Sequence, residues 1–356
     1  MSKPTIIVIG LGWGSASFIK NINTDKYNVK VYSINNKFIY TPLLAQNIKN
    51  NKDLVLYGKD INDEVIFESR EIYDVDFVNK FILDKNNKIK YDYLIFSHGA
   101  DVNTFNIPGV KEHCYFIKDD IQVNNLRKQI SSLPLNSHIA VIGCGLTGAE
   151  TIGTLLDFNK FNIHAIDALS RPLMMFDEKL SNFTLRLWKN NNIKLYMNHM
   201  VSSINNNSIE FKNNSNLKYN LAIWCGGIKK APLTDKILTK LNISNNKGIP
   251  VNNFLKVENT KNVFAIGDCA VTGFPPTAQV AYQEGQYLAK QFNSNFKHKE
   301  HFNFNNKGQI GYIGLKQSIV QIPYFQSSGN LIYYLNKGIH LYNGINFKQR
   351  INILFT

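Results

Sequence analysis

Cysteine is scarce: the chain holds four in 356 residues, Cys114, Cys144, Cys225 and Cys269. None stands in a C-x-x-C or C-x4-C pair, so neither a disulfide framework nor a zinc site is expected. Long apolar runs are missing too. No stretch of eighteen apolar residues occurs, so no segment is expected to span a bilayer. No basic segment, apolar core and small-residue cleavage site precede the strand-like Ile6-Ile7-Val8-Ile9. On that reading no targeting peptide is evident, and the expectation is an intracellular protein, cytoplasmic or on the cytoplasmic face of a membrane. Acid is in the minority, with 26 Asp+Glu against 40 Lys+Arg and a net charge of +14. A basic balance favours phosphate-bearing or other anionic partners. The positive charges are scattered, however, with runs no longer than Lys229-Lys230 or Lys297 to Lys299, which reads as a solvated basic surface. Charged residues make up 19% and hydrophobic ones 44%, a composition that builds a sizeable core and is not that of a disordered chain. The length suits two domains.

Two segments share one pattern. The first runs from a strand, Thr5 to Ile9, through Gly10-Leu11-Gly12-Trp13-Gly14 into a helix with Phe18 and Ile22 on one face, then into the strand Val29 to Tyr32. The second runs from Ile139-Ala140-Val141-Ile142 through Gly143-Cys144-Gly145-Leu146-Thr147-Gly148 into a helix expected from about Ala149 to Phe158, then a strand Ile163 to Ile166 ending at Asp167. Both are βαβ units, the opening of a doubly wound sheet. Apolar strands leading into glycine turns follow each unit, at Tyr91 to Ala100 and at Leu221 to Gly227. Another strand, Val263 to Ile266, leads into Gly267-Asp268. The fold class expected is α/β with two Rossmann-like dinucleotide-binding domains, one inserted in the other, plus a short C-terminal segment.

The second glycine turn is the fuller fingerprint. Gly143, Gly145 and Gly148 match G-x-G-x-x-G: a tight turn, a close backbone approach for a pyrophosphate, and close helix–strand packing. Asp167 follows at the end of the next strand, where a carboxylate binds both hydroxyls of an adenosine ribose and repels a 2′-phosphate. NADH is therefore favoured over NADPH, with Arg171 near enough to soften that preference. The first turn is a variant. Gly10, Gly12 and Gly14 are present, but Ser15 takes the third fingerprint position, and the strand end Tyr32-Ser33-Ile34-Asn35 offers only Ser33 or Asn35 in place of the ribose-binding acid. For this unit alone, a plain structural turn stands as the alternative. Asp268, delivered by a buried strand, is placed to accept a hydrogen bond from the ribityl chain of FAD. In Pro275-Pro276-Thr277-Ala278-Gln279-Val280-Ala281-Tyr282-Gln283, Thr277 is a helix N-cap, and Gln279 and Gln283 share one helical face. The pair reads as the lining of a carbonyl-acceptor pocket or as exposed glutamines on an ordinary capped helix.

Taken together, these segments resemble the type II (non-proton-pumping, rotenone-insensitive) NADH:quinone oxidoreductases, flavoproteins with two dinucleotide-binding domains. The resemblance runs from about residue 5 to about residue 316. It is carried by Gly10 to Ser15, Phe38-Ile39-Tyr40-Thr41-Pro42-Leu43-Leu44, Tyr91 to Ala100, Asn103 to Val110, Gly143 to Glu150, Phe264 to Ala270, Pro275 to Gln283, and Gly311 to Gly314, the last matching a late turn. It implies FAD contacts at Gly10, Gly12, Gly14, Thr41, Pro42, Asp268 and Ala278, and NADH contacts at Gly143, Gly145, Gly148, Asp167 and Gly226. Glu150 would stand near nicotinamide and flavin, and Gln279 and Gln283 would edge the quinone site. No metal is implied. Similar sulfide:quinone oxidoreductases need cysteines flanking the flavin, and none of the four here is so placed.

The expected division is residues 1–108 and 233–300 for the FAD domain, 109–232 for the NADH domain, and 301–356 for a C-terminal region that docks on a membrane or forms a homodimer. In that region Leu331, Ile332, Leu335, Ile339 and Tyr342 form an apolar stripe opposite Asn336, Lys337, His340 and Asn343, with Gly338 weakening the helix. The function expected is hydride transfer from NADH to FAD and then electron transfer to a quinone or another small acceptor. Two alternatives stand beside it: a soluble NAD(P)H-dependent flavin reductase resembling the apoptosis-inducing-factor relatives, and a basic nucleic-acid-binding flavoprotein without turnover. No nucleic-acid motif supports the last, so no specific nucleic acid is expected.

Overall fold

The computed structural model describes residues 3–244 and 247–354. The elements that matter for function begin with β1 (Thr5–Ile9), α1 (Trp13–Asn21), β2 (Asn28–Ser33), β3 (Ile66–Ser69) and β4 (Tyr93–Phe96). There follow β5 (Cys114–Phe116), β6 (His138–Ile142), α2 (Leu146–Leu156), β7 (Asn162–Ile166), β8 (Lys194–Tyr196) and β9 (Leu221–Trp224). The chain then forms β10 (Val263–Ala265), α3 (Ala278–Asn293), β11 (Gln309–Gly314), β12 (Gln317–Ile322), β13 (Phe325–Gly329), α4 (Asn330–Asn343) and α5 (Phe347–Leu354). They fall into two compact units, the first made of Met1–Ile39, Val55–Asp101 and Ile228–Asn305, the second of Tyr40–Leu54, Val102–Gly227 and Asn306–Thr356.

The first unit is built on a parallel sheet in the order β10-β4-β1-β2-β3. Val8 at its centre lies beside Val31 of β2 and Ile95 of β4. Ile6, Ile7 and Val8 are wholly buried, which is why β1 reads as an unbroken apolar run rather than an alternating one: both faces of the sheet are covered. One face packs Ile7, Ile9, Leu94, Phe96 and Val263 against Leu233 and Ile237 of the helix Pro232–Lys240. Elsewhere α1 lies along α3, with Phe18 edge-on to Phe292.

The second unit repeats the plan with the order β5-β9-β6-β7-β8, also parallel. Val141 stands between Ala165 and Ile223, and Ala140, Ile142, Ile166, Ala222 and Trp224 enter one core with Val201, Ile209 and Phe211. In each unit the strand leading to the glycine turn is the middle strand, so the turn emerges at the carboxyl edge of a parallel sheet, where ligands of doubly wound folds sit.

Several details differ from the sequence expectations. Helix α2 starts at Leu146 rather than near Ala149, because Gly145 is its N-cap and Gly148 lies within its first turn. Gly311 to Gly314 is not a turn but the end of β11, in an antiparallel sheet with β12 and β13. Residues 40–54 and 306–354 gather with the second unit, whereas the expected division put the former in the first domain and set the latter apart. Hydrogen bonds explain this grouping: the Tyr40 hydroxyl meets His340 at 3.2 Å, and Lys49 Nζ donates to the Asp157 carbonyl at 2.6 Å. The C-terminal stripe is split. Helix α4 forms in spite of Gly338 and buries Ile332 together with Asn336 and His340, while Leu331 is 80% and Tyr342 75% exposed. The polar side chains turn inward because they find partners there, Ser318 for Asn336 and Tyr40 for His340.

Candidate functional site

In the first unit the chain leaves β1 through Gly10, whose φ of +98° and closeness to Ser97 (a Cβ would lie 2.4 Å from its carbonyl oxygen) leave no room for a side chain. The Gly10 N–H donates to the Tyr32 carbonyl at 2.8 Å, tying the turn to β2. Gly12, the N-cap of α1, is different: no atom of the described residues comes within 4 Å of the position its Cβ would take. An open backbone at a helix N-terminus, at the positive end of the helix dipole, is an anion cradle. Ser15 is fully buried and its hydroxyl donates to the Gly12 carbonyl at 3.1 Å. The Ser33 hydroxyl donates to the Asn35 carbonyl at 2.8 Å, closing its own turn at the end of β2.

Strand β10 delivers a second loop. Ile266 N–H donates to the Phe96 carbonyl at 2.9 Å, and Gly267 to Cys269 then form a short 3-10 turn that holds the half-buried Asp268. Thr277 caps α3 as expected, accepting from Val280 N–H at 3.2 Å, and places Ala278 as the first helical residue. Gln279 and Gln283 follow on one face. The Gln283 amide is engaged at both ends: it donates to the Asn305 carbonyl and accepts from Asn305 N–H, each at 2.9 Å, so it fixes a loop as much as it lines a surface. Trp13, the residue between Gly12 and Gly14, meets Phe38 and Tyr282 edge-on at 5.1 and 6.3 Å.

The second unit carries the same device. Gly143 has φ +92°, a Cβ on it would lie 2.7 Å from the Cys225 carbonyl, and its N–H donates to Ile166 at 2.8 Å. Gly145 faces open space as Gly12 does, and a Cβ on Gly148 would fall 1.8 Å from the Gly143 carbonyl. Asp167 braces this turn: one carboxylate oxygen accepts from Cys144 N–H at 2.6 Å and the other from Leu169 N–H at 2.8 Å. Arg171 is turned to the Leu173 and Phe176 carbonyls at 3.4 and 3.2 Å, so its guanidinium is occupied within its own loop. Gly226 packs flat on the Trp224 indole, where a Cβ would meet the ring at 2.6 Å.

One helical turn beyond Gly145 stands Glu150, a buried carboxyl whose partner is the backbone N–H of Tyr312 on β11. Close glycine contact between Gly153 and Gly314 brings α2 and β11 near enough for that bond. Burial pushes the Glu150 carboxyl up to about 8 despite the N–H, so at neutral pH it is an uncharged, proton-carrying acid. The thiols are the opposite case. All four are free, and burial pushes Cys114, Cys225 and Cys269 up to about 12 and Cys144 well above its ordinary value, which leaves no reactive thiolate. Among the described residues no group of three or more His, Cys, Asp or Glu side chains is arranged to hold a metal ion.

Gly10, Gly12, Gly14, Asp268, Ala278, Gln279 and Gln283 thus all lie in the first unit, and Gly143, Gly145, Gly148, Glu150, Asp167 and Gly226 in the second. Thr41 and Pro42 are grouped with the second, in the short 3-10 turn Thr41–Leu43. Sequence reasoning missed Glu284, a buried acid that accepts from Gly267 N–H at 2.6 Å, and Tyr312, the partner of Glu150. Glu284 left a legible signal: it interrupts the stripe Val280, Ala281, Leu288 that α3 buries. Tyr312 left none, since its backbone makes the contact.

The chain belongs to the pyridine nucleotide-disulphide oxidoreductase family, whose description matches residues 4–285. Within that family it groups with the type II NADH-ubiquinone oxidoreductases. It is 30% identical to a probable mitochondrial NADH-ubiquinone oxidoreductase of Schizosaccharomyces pombe, over 99% of this chain and 81% of that protein. It is also 30% identical to a probable NADH dehydrogenase of Dictyostelium discoideum, over 98% and 88%. Its fold is similar to that of NDH2 from Plasmodium falciparum in complex with NADH, with a TM-score of 0.91 and 25% identity over 99% of this chain and 97% of that one. The disulphide of the family description has no counterpart in the four free thiols here.

Proposed function

We propose that this protein oxidises NADH and reduces a quinone through FAD, without pumping protons. The observation that carries the reading is the duplicated cradle: in two separate units a strained first glycine, an open second glycine and a helix N-terminus stand at the carboxyl edge of a parallel sheet. The open face at Gly12 and the Asp268 turn fit FAD, and the open face at Gly145 with Asp167 beside it fits NADH. FAD, when bound, supplies the redox chemistry, accepting a hydride and passing on two electrons.

The protein binds, orients and handles protons. Gly10, Gly12 and Gly14 present backbone to the flavin pyrophosphate, with Asp268 for the ribityl chain and Thr41, Pro42 and Ala278 as further contacts. Gly143, Gly145, Gly148 and Gly226 cradle NADH. Asp167 keeps lone pairs for the ribose hydroxyls, and its charge disfavours a 2′-phosphate, a preference that Arg171 does not offset while it holds its own loop. Glu150 holds a proton at its carboxyl and orients the nicotinamide end. Gln279 and Gln283 edge the quinone, Gln283 doing so with an amide fixed by Asn305.

Anaerobic stopped-flow mixing tests this. Bleaching of the flavin spectrum by NADH and its rapid recovery on adding a short-chain quinone are the expected result. Bleaching without recovery shifts the reading to the flavin-reductase alternative, and absence of any flavin signal after reconstitution with FAD overturns it.

We further infer that the quinone is met at a lipid surface. Among the described residues no helix is long and apolar enough to cross a membrane. Yet α4 and α5 expose Leu331, Tyr334, Leu335, Tyr342, Phe347 and Leu354, with Lys337, Lys348 and Arg350 among them. An apolar face interleaved with cations suits an anionic bilayer interface. Sedimentation with vesicles containing anionic lipid, reduced by Leu331→Glu/Tyr342→Glu, is the expected behaviour. A salt-insensitive dimer in solution with no vesicle binding would instead mark this face as a homodimer surface.

A further inference from the structure

Helix α3 carries two adjacent residues, Glu284 and Gly285, one reaching the loop after β10 and the other lying against α1. Glu284 is 1% exposed, and its carboxylate accepts from Gly267 N–H at 2.6 Å and from the Thr272 hydroxyl. It therefore spans the short turn that holds Asp268. Gly285 has no side chain because α1 occupies the space: a Cβ there would fall 2.1 Å from the Gly14 carbonyl and 2.9 Å from Phe18 N. One turn of α3 thus grips the loop after β10 with a buried acid and presses on the first turn of α1, which carries the open Gly12, with its backbone.

We propose that Glu284 is a positioning residue for the FAD site: by holding Gly267 and Thr272 it sets the Asp268 carboxylate for the flavin. This rests on the reading of the first unit as the FAD-binding unit. The acid is costly to bury, and a carboxyl kept on the buried face of α3 needs a compensating task. Its two donors provide that, since without it the N–H of half-buried Gly267 and the hydroxyl of half-buried Thr272 lose a charged acceptor. The titratable groups that face it are Asp268 and Cys269 on the gripped turn. From α1 the approach to this part of α3 is made by Gly14, Ser17 and Phe18, none of which titrates. Burial and the nearby Asp268 push the Glu284 carboxyl up to about 7, so the charge-assisted form of the grip is weakened when pH falls below that value.

The test uses the full chain, stripped of FAD and titrated with FAD by flavin fluorescence on both sides of pH 7. Wild type is expected to bind FAD less tightly on the acid side. Glu284→Ala should weaken FAD binding about tenfold or more, the range for a hydrogen bond to a charged group, while NADH binding by the second unit is unchanged. Glu284→Gln keeps an acceptor for Gly267 N–H, and so should recover most of the affinity and lose the pH dependence. Unaltered FAD affinity in Glu284→Ala overturns the proposal. Should that variant not fold, a Glu284→Gln protein that keeps the wild-type pH dependence overturns it instead. Failure of the wild type to take up FAD at any pH defeats the reading of the unit itself, a result distinct from either.

Discussion

The two glycine turns reach one geometry by different means. In the second unit the demand for closeness falls on the fingerprint itself: Gly148 sits where a Cβ would lie 1.8 Å from the Gly143 carbonyl. In the first unit the equivalent position takes Ser15, buried and bonded to Gly12, and the demand has moved to Gly14, against Ile266 at 3.1 Å, and to Gly285 on another helix. The acids have moved as well. Asp167 braces the second turn directly from the next strand, while the first strand end has only Ser33, turned to its own loop, and the buried acid of that unit, Glu284, braces the Asp268 turn from α3. A fingerprint that deviates is therefore not a weakened fingerprint: the missing group shows where tertiary packing has taken over the task.

Gly10→Ala and Gly143→Ala should each destabilise the fold by about 2–5 kcal/mol, because positive φ and a backbone collision add; the loss is read from urea unfolding, and a mild effect at either would show that the two turns are not equally strained. Gly12→Ala and Gly145→Ala meet no protein atom, so the fold should survive while the facing cofactor is displaced, with about 1–3 kcal/mol of affinity lost to overpacking. Calorimetric titration should find FAD weakened only by the first and NADH only by the second, and crossed or shared losses would refute the assignment of one cofactor to each unit. Asp167→Asn should raise the NADH dissociation constant about tenfold, the range of a hydrogen bond to a charged group, whereas Ser33→Ala should leave FAD affinity nearly unchanged.

Glu150 has its folded pKa raised from the ordinary carboxyl value to about 8, so the native state binds the proton more tightly than the unfolded one. Its stabilising contribution is complete below the unfolded value and is lost as pH rises toward 8. Glu284, raised to about 7, acts in the same sense over a lower window. Thermal unfolding of Glu150→Gln should therefore decline less between mildly acidic pH and pH 8 than the wild type does; parallel curves would mean Glu150 is ionised in the folded protein. Ser15→Gly should cost only about 1 kcal/mol, one hydrogen bond, and if it tightens FAD binding strongly the serine is a defect rather than a substitute.

Much of this was readable in the chain. Continuous apolar strands followed by glycine and a helical period gave both βαβ units, and Thr277 caps its helix where the Pro275-Pro276 break put the start. The errors came where distant segments compete for a residue. The apolar stripe on α4 reads as one continuous face, yet Ile332 is buried beside Asn336 and His340, which meet Ser318 and Tyr40, while Leu331, Leu335 and Tyr342 are exposed. Gly311 to Gly314 reads as a turn until β12 is seen to pair with it.

Local sequence determined what depends on neighbours along the chain: which strands are buried on both faces, where a backbone must turn at positive φ, where an acid stands at a strand end. Tertiary structure alone decided what depends on partners far away in the chain. It brought Gly267 N–H, 17 residues before Glu284, onto that carboxylate, set Tyr312 N–H against Glu150 by way of two glycines, and gathered residues 40–54 with a helix almost 300 residues later. The physical reason is that a buried polar group is fixed by whatever donor or acceptor folding places beside it, and that partner leaves no mark on the residues next to it in sequence.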